Sequence, residues 1–108
     1  MPDLPTRRFG RTELPIPLLS LGGMRLQQSW TDLPASEITS DSQANPPPTL
    51  QRATQLGLHH VETARHDGSS ERQLGWAFPT TPDPTRILQS KVPPREDPDA
   101  FEAELALS

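Results

Sequence analysis

The stretch from Leu58 to Gly75 constrains the fold most. An apolar segment, Leu58 to Ala64, ends in Glu62-Thr63-Ala64, a loop closes on Gly68, and Ser70-Glu71-Arg72-Gln73-Leu74-Gly75 opens a helix. A short apolar strand that runs through a loop into a helix start is the pattern of a β–α unit in a parallel sheet. Ser70 and Gln73 have the spacing of a capping box, and Leu74, Ala77 and Phe78 supply one apolar helix face that Pro79 ends.

The flanking sequence continues the alternation. Arg7 to Gly10 and Ile16 to Gly22 read as short extended pieces joined around Arg11-Thr12-Glu13-Leu14-Pro15, a small N-terminal hairpin. Pro15 and Pro17 argue against central strand pairing before Leu18. Leu18-Leu19-Ser20-Leu21 is mostly apolar, as in a strand buried on both faces, and Gly22-Gly23 stops it. From 27 to 48 the pattern dissolves, and the segment reads as loop or poorly ordered chain with a short helix near Pro34-Ala35. Asn45 before Pro46-Pro47-Pro48 fits a cap with prolines in the first turn, followed by Leu50, Ala53, Thr54 and a closing Gly57. Arg86 to Val92 alternates as a third strand, and Asp97-Pro98 starts a helix with Phe101 and Leu105 at i, i+4.

The order from Glu62 to Gly75, with Arg7-Arg8-Phe9-Gly10-Arg11-Thr12 before it and Lys91 after it, resembles the N-terminal part of the aldo-keto reductases. That resemblance implies a (β/α)₈ barrel and nicotinamide-dependent reduction of an aldehyde or ketone. A barrel of this kind usually takes about 250 residues, so residues 1–108 correspond to roughly the first three strand–helix units, one incomplete barrel segment. The implied cofactor is NADPH and the implied partner a small carbonyl substrate.

Carried over position by position, the resemblance places Glu62 at the family's aspartate, Asp67 at its catalytic tyrosine and Lys91 at its lysine. Gly22, Gly23 and Met24 fall at a turn whose backbone lies near the nicotinamide ribose. The family histidine is expected beyond the third helix. The chain has no tyrosine. A phenol with pKa near 10 holds a proton at neutral pH, whereas an aspartate, near 3.9, has none to give. Asp67 is expected to be an ion-pair acceptor for Lys91, and the chain to be inactive in carbonyl reduction. Read without the resemblance, Glu62 and Lys91 are a structural ion pair or two solvated charges, and Gly22-Gly23 an ordinary strand-ending turn.

Composition sets the remaining bounds. Leu, Ile, Val and Phe together supply 22 of the 108 residues, and 14 prolines each remove a backbone donor. The core is therefore expected to be thin. The alternative function is a non-catalytic remnant or a partly disordered proline-rich interaction segment, in which Pro46-Pro47-Pro48, Pro79 to Pro82 and Pro93-Pro94 offer polyproline surfaces. A net charge of −4 argues against nucleic acid as a partner. Without cysteine there is no thiolate metal site. His59, His60 and His66 match no metal-binding spacing, so no metal is expected. Met1-Pro2-Asp3-Leu4 begins no signal peptide and no run approaches a membrane span, which makes the cytoplasm the expected compartment.

Overall fold

The computed structural model describes residues 4–108, so the expectation at Met1-Pro2-Asp3 lies outside the described residues. The chain is a mixed α/β structure with two small sheets. Strands β1 (Thr6–Arg8) and β2 (Pro15–Pro17) form an antiparallel hairpin. Strands β3 (Leu21–Gly22), β4 (His60–Glu62) and β5 (Ile87–Gln89) form a parallel sheet in sequential order. Helices α1 (Ser40–Gln43) and α2 (Pro46–Gln55) lie between β3 and β4, α3 (Ser70–Ala77) lies between β4 and β5, and α4 (Pro98–Leu107) follows β5. The sheet does not close into a barrel.

Two prolines are tolerated in β2 because both strands of a two-stranded ribbon are edges. The first parallel strand differs from expectation. It is Leu21–Gly22, while Leu18 and Leu19 are exposed. The chain there is still leaving the hairpin, with the Leu18 amide on the Pro5 carbonyl at 2.9 Å, and reaches β4 only at Leu21.

Residues expected as loop over 27–48 include a 3-10 turn at Ala35–Glu37, helix α1 capped by the Thr39 hydroxyl, and the first turn of α2. Pro46-Pro47-Pro48 are thus helical and Pro46 is buried, which takes them out of any polyproline docking conformation. Asn45 precedes them without a side-chain cap. Gly57 closes α2 in the left-handed region, at φ 79°.

Val61 is the centre of the core. Leu50 of α2 and Leu74 and Ala77 of α3 bury against it, with Leu21, Leu26 and Phe78 packed around them. Side chains alternate across a strand, so His60 and Glu62 share the other face. His60 is buried there against Phe9 of the hairpin, between Ser20 at 2.6 Å and Gln89 at 3.0 Å.

Gln73 ties the 27–45 excursion to the sheet. It is fully buried. Its carbonyl oxygen accepts from the Gln28 amide and the Ser69 hydroxyl, both at 2.7 Å, and its amide donates to Ser42 at 3.1 Å. This corrects the capping-box expectation: Ser69 is the helix N-cap residue, and Ser70 instead hydrogen-bonds Thr63 and the Gly23 carbonyl. No described helix is long and apolar enough to cross a membrane.

Candidate functional site

The carboxyl ends of the three parallel strands bring the sequence-derived residues into partial convergence. Gly22 and Glu62 are register partners, and the Gly23 amide donates to the Glu62 carbonyl at 2.7 Å. On the other side the ladder runs past β4 and β5: the Thr63 amide reaches the Gln89 carbonyl at 2.8 Å, and the Arg65 amide the Lys91 carbonyl at 2.9 Å. That register places Lys91 beside Glu62. The Lys91 ammonium pairs with the Glu62 carboxylate and donates to the Thr63 carbonyl at 2.8 Å.

Asp67 is not part of this pair. It sits in the loop after β4, where its amide donates to the Ala64 carbonyl at 3.0 Å and its carbonyl accepts from the Ser70 amide at 3.1 Å. Among the described residues its carboxylate has no salt bridge, so the expected Asp67–Lys91 ion pair does not form. Glu62 already holds the lysine.

The glycines divide by role. A Cβ on Gly23 would stand 2.7 Å from the Leu74 side chain and 3.3 Å from the Glu62 carbonyl, so glycine here is a condition of packing α3 against the end of β3. Gly22 has open space around it, and Met24 is exposed. The backbone at Gly22 could therefore be approached by a ligand, while Gly23 could not.

A second cluster that the sequence reading missed lies just beyond. Arg65, with a side chain only 12% exposed, donates to Asp32 and faces Glu71 at 3.7 Å and Glu104 at 3.4 Å. The hydrogen bond to Asp32 is the main reason its pKa stands above the ordinary arginine value, burial opposing it. Arg95 pairs with Glu104 at 3.6 Å and lies 3.1 Å from His66. Trp30, His66 and Gly68 join Arg65 around a cavity of about 300 Å³. The signal for Arg65 was its place three residues past Glu62, at the end of the same extended segment.

These commitments bear on a nicotinamide cofactor. Its phosphates need free cationic or amide donors. Among the described residues Lys91, Arg65 and Arg95 are each spent on carboxylates, while Arg25, next to the Gly22 turn, is exposed and in no ion pair. The described residues offer the open Gly22 backbone and do not fit the phosphates.

At the opposite end of the sheet stands a third arrangement. The Asp83 carboxylate, its side chain 4% exposed, accepts from His59 Nδ1 at 3.0 Å, the Thr85 hydroxyl at 2.6 Å, the Thr85 amide at 2.9 Å and the Thr54 hydroxyl at 3.3 Å. Burial pushes this carboxyl up, but the hydrogen bonds from Thr85 and His59 override it and hold its pKa at about 2. The sequence signal was Asp83-Pro84-Thr85, in which the aspartate bonds the amide two residues on.

Among the described residues no group of three metal-ligating side chains comes together. Compared with known proteins, the chain matches no family model, no curated protein and no solved structure.

Proposed function

We propose that this chain is an aldo-keto reductase-like segment that keeps the acid–lysine pair of carbonyl reduction and has lost its proton donor. One observation carries the reading. Glu62 and Lys91 stand at the carboxyl ends of adjacent parallel strands and pair there, in the relation the resemblance implies for the family's aspartate and lysine. The sequential parallel order of β3, β4 and β5, with helices between them, is the order in which a (β/α)₈ barrel begins.

In this reading Glu62 fixes the ammonium of Lys91, and the Thr63 carbonyl holds it from a second side. The pair has no phenol to prime. Asp67 carries a carboxylate where the resemblance puts the donor, and among the described residues it forms no ion pair with the lysine. The segment therefore reduces no aldehyde or ketone by itself.

The test has two stages. The purified chain with NADPH and a panel of aldehydes is expected to give turnover equal to a no-protein control. Joined to the later strands of a full-length aldo-keto reductase, it is expected to gain activity on Asp67→Tyr by about 10²-fold or more, the low end of what a positioned general acid supplies. A folded, cofactor-binding chimera that gains nothing from the tyrosine would overturn the proposal.

A further inference from the structure

The amino-terminal end of the sheet carries a second built site, away from Glu62 and Lys91. The hairpin packs over the start of β4 and β5 and leaves a cavity of about 480 Å³ between them, within the range of small-molecule pockets. Leu14, Pro15 and Pro17 from the hairpin and Ile87 from β5 form an apolar wall. The polar edge is His59, Thr85 and Arg86.

His59 is fixed in one tautomer by its neighbour. A carboxylate only accepts, so the proton on Nδ1 points to Asp83, with the Thr85 hydroxyl 2.8 Å from the same nitrogen. Nε2 has no hydrogen bond among the described residues and sits on the edge of the ring away from Asp83. It accepts when the ring is neutral, and protonation turns it into a charged donor. Arg86, its neighbour across the β4–β5 register, lines the same cavity. One guanidinium nitrogen donates to the Thr81 carbonyl at 2.7 Å and the plane lies 4.9 Å from the centre of the Phe78 ring, which holds the group in place with its other nitrogens unbonded. Among the described residues no acid lines the cavity, and the four hydrogen bonds of the nearby Asp83 are all internal. The hairpin residues lining the cavity carry no titratable side chain.

We propose that this cavity binds a small apolar carboxylate, its head on His59 Nε2 and Arg86 and its hydrocarbon body against Leu14, Pro17 and Ile87. A preset carboxylate–imidazole pair, a tethered guanidinium and a dry wall on the far side match a ligand with one anionic end. Asp83 acts as a positioning residue by keeping the Nε2 edge turned outward.

The probe is hexanoate, with hexanamide as its neutral isostere, titrated into the full unmodified chain and followed by amide and imidazole NMR shifts. Hexanoate is expected to move the Leu14, Thr85 and Ile87 amides and to bind at least about tenfold more tightly than hexanamide, the low end for a charge-assisted hydrogen bond. His59→Asn, whose amide can still serve Asp83, and Arg86→Met are each expected to weaken hexanoate without changing hexanamide. Equal affinity for the two probes, shifts scattered away from the hairpin, or no saturation by about 10 mM would overturn the proposal. The probe comparison uses the unmodified chain, so it decides even where a variant fails to fold.

Discussion

Asp83 ties the stability of this molecule to pH. Its carboxyl is held at about 2 against an ordinary value of 3.8, a difference that corresponds to about 2 kcal/mol of stability. Because the folded value is depressed, that contribution is complete above about pH 4–5 and is lost as pH falls toward 2. Replacing Asp83 by Asn removes the charge while keeping the size and an acceptor oxygen. The unmodified chain is expected to exceed Asp83→Asn in stability by about 2 kcal/mol near pH 6, and the gap should close by about pH 2. Urea denaturation at a series of pH values measures both. The Glu62–Lys91 pair supplies the contrast, since its side chains are 38% and 50% exposed. Exposed pairs contribute about 0–1 kcal/mol, so Glu62→Gln should cost no more than that. A stability gap for Asp83→Asn that stays constant from pH 6 to pH 2 would refute the reasoning, as would a larger loss from Glu62→Gln.

Gly68→Ala should destabilise the chain by more than about 2 kcal/mol, because φ there is 58° and a Cβ would lie 1.8 Å from the Ser29 carbonyl oxygen; a thermal melt unchanged from the unmodified chain would contradict this. Leu74→Ala removes a fully buried side chain from the core and should cost about 2–5 kcal/mol, read by chemical denaturation. Gln73→Leu removes the shorter of the two acceptors of the Gln28 amide and the partner of Ser42, so hydrogen exchange should accelerate across residues 28–43 before it does in β4. The purified chain should give no carbonyl turnover with NADPH, and activity abolished by Lys91→Met would show the substituted site to be a working one.

What could be read from the sequence was what depends on neighbours in the chain. Gly57 closes α2, Asp97 caps α4 through the Asp99 amide, and the strand at His60–Glu62 falls within the apolar run. The Glu62–Lys91 meeting was legible only through the resemblance, since nothing local links positions 29 apart. The misreadings share a cause. Ser70 and Gln73 have capping-box spacing, but Thr63, Gly23 and Gln28 recruit their side chains from distant parts of the chain. Leu18 and Leu19 look like a buried strand by composition, and the hairpin exit keeps them at the surface. The pairing of His59 was invisible because its partner, Asp83, lies 24 residues on.

Helix α4 buries no residue. Glu104 reaches Arg65 and Arg95, and the Ser108 hydroxyl donates to Glu71 at 2.5 Å. A segment seated this way answers to the solvent's ions more than to its temperature. Added salt screens such contacts over about 10 Å at 0.1 M, though the half-buried Arg65 end resists. Free arginine or a polyamine competes for Glu104 directly. The helix can thus lift from the sheet while Val61 and its neighbours stay packed, which makes its attachment a titration by small cations and its release a step separate from unfolding.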